Sequence, residues 1–380
     1  MSSCVAKAAR LYRPSVAAAS VIVDSAADVP PWISLHEDIV GLLGWWVLAV
    51  DLVDYIRFRA VCKHWRYSTV CPRGRGIADA RFHPRQWMLL PEGHRPQHER
   101  GRDNGATHFL NLSTGAYVSP RLPRLWENGV LASVEGLLLV HRRGGTTMKI
   151  LHPFTGDVAD LPPLTTLLTK WQADYKFREG YMFDNTTASL SVSADGVATV
   201  MIAGLKWCHI VYASTKDNHW RLSDWWYFTL HEYGRDISFQ GKIYSLQLSI
   251  GGYKIIQLDP PRHEDREMEE SKFSSFVPPK VIAICPSHKI FKPIQLVECD
   301  SEILLTGSRD CPYSTRMVVY RVADLMSGRV TPLTSIGGNA LPVDIGRSFR
   351  AVSTISGDTI VCTCPATDDY IGQYHISGGT

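Results

Sequence analysis

Fourteen histidines and nine cysteines are the side chains of this sequence best suited to metal binding or nucleophilic chemistry. Their spacing keeps them apart. Cys4, Cys62, Cys71, Cys208, Cys285, Cys299, Cys311, Cys362 and Cys364 include no Cys-x-x-Cys pair, whereas a zinc site needs clustered ligands at fixed intervals. Cys362 and Cys364 would point to opposite faces of a strand, a poor geometry for sharing one metal. An odd, scattered set argues against a full disulfide framework and for buried thiols in a reducing compartment. The sequence holds no phosphate-binding loop, no G-x-G-x-x-G, no H-E-x-x-H and no G-x-S-x-G, the patterns in which residue type and spacing together make a reaction. The basic run His94–Arg102 could touch phosphate, but such runs are usually polar surface. A formal net charge of +3 is too small to imply nucleic-acid binding by charge alone. The expectation is a non-enzyme with no metal and no cofactor.

What remains is binding, and binding surfaces must be held by elements. Of the 380 residues, 45% are hydrophobic and 10% aromatic, with eleven tryptophans, 29 glycines and 22 prolines. Aromatics favour strands, and Gly and Pro supply turns, so the composition leans towards β. No apolar run reaches the ~18–20 residues of a membrane span. The stretch Val47–Val53 is broken by Asp51, and Asp54 follows it. Residues 1–29 read either as a disordered tail or as an organellar transit peptide. The first 23 carry Lys7, Arg10 and Arg13, many Ala and Ser, and no acid, a composition that suits both readings.

Residues 30–72 read as helices, with Pro30-Pro31 as the boundary, since proline cannot continue a helix. Apolar residues at Ile39, Val40, Leu42, Leu43, Trp46, Val47 and Val50 follow helical spacing. Asp54 is placed to cap a second helix, in which Tyr55, Phe58, Val61, Cys62 and Trp65 share a face. So few short amphipathic helices cannot bury enough surface alone. A partner or a neighbouring domain must cover them.

Residues 73–106 read as a linker and a first partial blade, including the loop Pro91–Ala106. Residues 107–380 alternate short apolar runs with turn signals, the pattern of an all-β domain. Hairpins recur at Val134–Val140, Val192–Val200, Ile237–Tyr244, Leu296–Leu305 and Val352–Val361. Gly136, Gly196, Gly241 and Gly357 stand at or beside their turns, where positive φ costs glycine little. The mean unit is about 55 residues, in the range of a four-stranded propeller blade with insertions. This gives about six blades, with about seven as the near alternative. The charged stretch Arg262–Lys272 reads as a solvated insertion. Trp171, Trp207, Trp220 and Trp225 are either target anchors or blade-packing residues, more often the latter.

Two phrases carry a family resemblance. The segment Trp32-Ile-Ser-Leu-His-Glu-Asp-Ile-Val, then Leu42-Leu43, then Phe58-Arg-Ala-Val-Cys-Lys-His-Trp-Arg66 resembles the F-box of plant proteins. His36 stands where that family usually has proline, a change that would loosen the first turn. The phrases Asn111-Leu-Ser-Thr-Gly115, Leu151-His-Pro-Phe-Thr-Gly156 and Gly241-Lys-Ile-Tyr244 resemble the KIB-type β-propeller-like domain that plant F-box proteins often carry. The resemblance departs at Ile336–Val343, which puts closure of the last blade in question. It implies an α+β multidomain chain, a short helical F-box followed by an all-β propeller-like domain. It further implies a substrate-recognition subunit of a Skp–cullin–F-box ubiquitin ligase, acting in protein degradation in the cytoplasm or nucleus. Its partners would be a Skp-type adaptor, a cullin through that adaptor, and a protein target, with no nucleic acid and no membrane. By carry-over, Leu35, Ile39, Val40, Leu43, Val61, Cys62 and Trp65 would face the adaptor or the helical core, and the target-binding residues are left unassigned. The competing expectation is an organelle-targeted propeller binding protein, mitochondrial or chloroplast, with a degenerate F-box.

Overall fold

A computed structural model describes residues 31–90, 107–122, 125, 128–142, 145–168, 186–204, 209–223, 236–261, 277–312, 316–342, 349–350, 357–363 and 371–376. Residues 1–29, the basic run at 94–102, the insertion at 262–272 and the residues Trp171, Trp207, Trp225, Cys208 and Cys364 lie outside them.

Helical spacing in the N-terminal part becomes three helices, α1 (Glu37–Val50), α2 (Leu52–Ala60) and α3 (Lys63–Tyr67). Glu37 and Asp38 occupy the first turn of α1, where the positive end of the helix dipole favours acids. His36 is its N-cap, with φ −57° and ψ 143° and Nδ1 accepting from the Asp38 N–H. That backbone conformation is the one a proline would fix, and the ring nitrogen satisfies an N–H that proline could not. The expected loosening of the first turn is therefore offset. The cap of α2 is Asp51 rather than Asp54: Asp51 is extended, and its Oδ1 accepts from the Asp54 N–H at 2.9 Å. Asp54 sits inside the first turn because the chain leaves α1 one residue before α2 begins. Cys62 caps α3 through Sγ, which accepts from the Trp65 N–H at 3.4 Å.

The β part forms six sheets among the described residues. The first holds β1 (Trp87–Leu89), β2 (Phe109–Asn111) and β3 (Tyr117–Val118). A domain division at 106/107 thus passes through this sheet. The second holds β4 (Asn128–Val134), β5 (Leu137–Arg142), β6 (Met148–Leu151) and β7 (Val158–Leu161), with α4 (Thr165–Leu168) following. The third holds β8 (Thr186–Val192), β9 (Ala198–Gly204), β10 (Val211–Ser214) and β11 (Arg221–Leu222). The fourth holds β12 (Ile237–Phe239), β13 (Lys242–Ser249), β14 (Gly252–Leu258) and β15 (Lys280–Pro286). The fifth holds β16 (Phe291–Cys299), β17 (Glu302–Ser308) and β18 (Met317–Arg321), with α5 (Val322–Met326) after it. These five are antiparallel meanders in chain order. The sixth departs from that pattern. It contains β19 (Asn339–Pro342), β20 (Phe349–Arg350), β21 (Thr359–Thr363) and β22 (Ile371–His375), in the order β20-β19-β21-β22 with β19 parallel to β21. An isolated bridge between Met317 and Ile376 ties its end to the fifth sheet. The chain is thus a short helical region followed by an all-β, propeller-like domain.

Tight turns between the first two strands of a blade have the geometry the glycines require. Glu135 and Gly136 have φ of 53° and 79°, and Gln240 and Gly241 have φ of 50° and 76°. Two successive positive values make the type I′ turn that matches strand twist. Asp300 and Ser301 do the same without glycine, at 45° and 65°. In the last repeat, Asp358 rather than Gly357 takes positive φ, and the strand expected before it lies outside the described residues.

Apolar side chains collect between blades rather than within them. Trp87, Phe109, Leu138 and Val140 join the first and second sheets. Leu139, Ile150, Leu190 and Val200 join the second and third. Met201, Tyr212, Ile243 and Leu258 join the third and fourth. Ile255, Cys285, Leu296 and Leu305 join the fourth and fifth, and Val297, Val319, Leu341 and Ile360 join the fifth and sixth. Among the described residues no such cluster joins the sixth to the first. Trp220 is a packing residue, 2% exposed, its Nε1 donating to the Pro162 carbonyl of the neighbouring blade at 2.6 Å.

Candidate functional site

Helix α1 (EDIVGLLGWWVLAV) has charges only at its start and apolar residues on all sides. A helix that is apolar all round needs cover all round. One side has it. Val40 and Leu48 are buried, and Leu48 packs with Leu52, Tyr55 and Phe82, joined by Trp45 and Val47. Gly44 is buried against Thr69 and Tyr55, where a Cβ would meet Thr69 at 2.7 Å. The opposite side does not. Ile39, Leu42, Trp46 and Val50 are 48, 52, 64 and 73% exposed. Spaced by three, four and four residues, they form one continuous stripe.

The closing helix and the residues after it lie on the packed side of α1, where Gly41 faces Ser68 and Gly44 faces Thr69 and Phe58. Trp65 packs on Phe58 at 4.3 Å between ring centroids and edge-on to Trp32 at 5.8 Å. Its indole N–H donates to the Trp32 carbonyl at 3.2 Å. The His64 ring bonds the Leu35 carbonyl at 2.7 Å. Arg59 reaches Thr69 Oγ1 and the Arg66 carbonyl, and Tyr55 donates to the Val70 carbonyl at 2.7 Å. Trp32, Val61 and Tyr67 remain exposed.

The structure therefore divides the residues that the sequence singled out. Ile39 and Val61 are on the surface, and Leu35, Leu43, Cys62 and Trp65 are half-buried. Val40 is fully buried. Of the two places the resemblance allowed, the adaptor and the helical core, its burial is that of the core. Leu42, Trp46 and Val50 complete the exposed stripe. Their signal in the sequence was the absence of any polar side on α1.

The helical module is seated on the propeller by buried polar contacts. Asp51, 7% exposed, turns its Oδ2 to Trp87 Nε1 at 2.6 Å and Asn111 Nδ2 at 2.9 Å. Trp87 and Asn111 are cross-strand partners at one end of the first sheet. Val53 joins the core of the first two sheets, and Phe154 touches both that core and the helical one. The segment after α3 runs along the same end of the next blades. Asp157 accepts from the N–H groups of Gly74 and Gly76 at 2.8 to 2.9 Å. His152 bonds the Phe82 carbonyl at 3.0 Å, and Arg85 pairs with Glu135 at 2.7 Å. Gly136 meets Pro84 and Gly196 meets Ala78. Strands alternate in direction, so the β1–β2 register end, the β4–β5 and β8–β9 hairpins and the β6–β7 turn all lie at one end of the sheets. The phrase Leu151-His-Pro-Phe-Thr-Gly156 is thus the receptor for the linker.

Burial pushes His152 down to about 4 and also lowers His83, whose Nε2 bonds the Ile77 carbonyl. Both act as neutral structural groups. No group of His, Cys, Asp and Glu among the described residues is arranged to hold a metal. No described helix is long and apolar enough to cross a membrane.

A family model described as KIB1-4 beta-propeller matches residues 109–376. Among curated proteins, none matches the sequence. Among solved structures, the PQQ-bound form of aldose sugar dehydrogenase from Streptomyces coelicolor is similar at 14% identity, over 46% of this chain and 53% of its own length, with a TM-score of 0.22. The chain spans about half of that structure, and a likeness this slight carries no argument.

Proposed function

The chain belongs to the KIB1-4 β-propeller family, and from that footing we propose that it is the substrate-recognition subunit of a Skp–cullin–F-box ubiquitin ligase. Its helical module docks a Skp-type adaptor, which links it to a cullin, and its propeller holds a protein target in the cytoplasm or nucleus. The chain itself carries no catalysis. It raises the effective concentration of target lysines near the charged ubiquitin carrier. One observation carries this reading: the uncovered stripe Ile39, Leu42, Trp46 and Val50 on a helix whose opposite side is buried at Val40, Gly44 and Leu48. An apolar helix face of this kind is a groove ligand, read at helical intervals by a partner.

The test is co-expression of the full chain with a Skp-type adaptor, followed by pull-down and gel filtration. A one-to-one complex formed by the wild type and lost in Leu42→Asp/Trp46→Asp supports the reading. A folded wild type that binds no adaptor sinks it and leaves the organellar binding protein as the reading to pursue.

A further inference from the structure

Asp51 is a buried carboxylate whose partners are all neutral. It accepts from the Asp54 backbone N–H, from the Trp87 indole and from the Asn111 amide, and no cation pairs with it among the described residues. Burying a charge is costly unless each lone-pair direction is met. Here the two oxygens have separate tasks. Oδ1 caps α2 within the helical module, while Oδ2 grips two side chains of the first sheet. One carboxylate thus ends a helix and fastens that helix to the propeller.

The grip is directional. Asn111 is not free to turn its amide over, because its Oδ1 accepts from the N–H groups of Ser113 and Thr114 at 2.9 and 3.0 Å. Its NH2 must therefore face Asp51. The indole of Trp87 is a donor only. Two fixed donors converge on one oxygen, and only an acceptor satisfies them. Trp87 is itself 2% exposed and wedged against Phe154 at 5.4 Å, so it cannot swing aside.

We propose that Asp51 is the positioning residue that sets the angle at which the helical module is carried on the propeller, making the two parts one rigid body. Its importance for ubiquitin transfer rests on the function proposed above, since a fixed angle fixes where a bound target sits relative to the adaptor. The linker contacts of Gly74, Gly76 and Phe82 hold the chain after α3. Among the described residues, Asp51 alone holds the α1–α2 corner by side-chain hydrogen bonds to the first sheet.

Asp51→Asn isolates this role. Asparagine caps a helix about as well as aspartate, so Oδ1 can still serve Asp54. The second atom becomes NH2 and faces two donors. A second variant, Trp87→Phe/Asn111→Leu, removes the donors and leaves Asp51 as the cap. The measurement uses the full chain spin-labelled at Tyr67→Cys and Ile250→Cys, both exposed sites, with other exposed cysteines replaced. The wild type gives one narrow distance distribution. Either variant roughly doubles its width, the default for modules without a fixing contact, at unchanged helical content. A narrow, unshifted distribution in both folded variants overturns the proposal. If Asp51→Asn unfolds, the double variant decides. Adaptor pull-down on the same samples separates the two readings. A broadened distance in a chain that binds no adaptor refutes the ligase reading and leaves the joint standing.

Discussion

The imidazole of His152 bonds the carbonyl oxygen of Phe82 across 70 positions of sequence, at 3.0 Å. Its Nε2 must carry the proton, because a carbonyl only accepts. Its Nδ1 accepts from the N–H groups of Phe154 and Thr155. No site for a second proton is left without breaking a turn.

This arrangement makes stability fall in acid. An unfolded histidine takes up its proton near pH 6.5, whereas burial holds folded His152 down to about 4. Between those values the unfolded state binds more protons. Stability is then complete above about pH 6.5 and falls by about 1.4 kcal/mol per pH unit below it, about 3 kcal/mol in all. Urea midpoints taken at several pH values should show this slope, and His152→Gln should flatten it. An unchanged slope in that variant assigns the acid sensitivity elsewhere.

Trp46 and Val40 should behave as opposites although both are apolar residues of α1. Trp46→Asp is expected to change stability by less than about 0.5 kcal/mol, as exposed substitutions do. It should weaken adaptor binding by more than about 2 kcal/mol if the stripe is the docking face. Val40→Asp buries a carboxylate at a site with no exposure and should prevent folding of the module. Thermal melts alongside calorimetric titration with the adaptor separate the two effects.

Gly136 and Gly156 both have positive φ, at 79° and 76°, yet only one is crowded. A Cβ on Gly136 would lie 2.1 Å from the Pro84 carbonyl oxygen, while one on Gly156 would meet nothing within 4 Å. Gly156→Ala should cost about 1 kcal/mol of backbone strain. Gly136→Ala should cost at least twice that, because the linker must move. Equal losses in unfolding free energy would mean that Pro84 is not seated on the hairpin.

Asp157→Ala should release the linker. It removes an ionised acceptor of the Gly74 and Gly76 N–H groups, a loss of about 2 kcal/mol. Arg73 and Arg75 are exposed in that turn. Trypsin should cut there faster in the variant than in the wild type, and identical cleavage would show the linker held by other contacts.

Local order was legible in the sequence, and the joint was not. Gly136 and Gly241 announced their hairpins because a type I′ turn demands positive φ, and Asp300-Ser301 followed from the repeat. The helical stretch was visible from its spacing, and so was its need for cover, but which of its apolar residues would stay exposed was not. Asp51, by contrast, looked like an interruption of an apolar run. Its donors lie 36 and 60 positions away, and those of Asp157 lie 81 and 83 away. Such contacts join an acid to backbone or neutral groups and leave no charge pattern or period to find. The cap of α2 was misplaced by three residues for the same reason: Asp51 and Asp54 are equally good caps by type, and the contacts of Asp51 with Trp87 and Asn111 leave no trace in the sequence pattern.

The hydrophobic clusters sit between blades, each shared by two neighbours. Stability is therefore passed between adjoining blades by nearest-neighbour coupling. A lesion in the sixth sheet is felt by the fifth, with which it shares a cluster. A ligand that tightens the second or third sheet acts on the very turns that hold the linker, whereas one bound at the fifth reaches the third through the clusters shared with the fourth. Where a ligand lands on the propeller thus sets how directly its arrival is passed to the helical module.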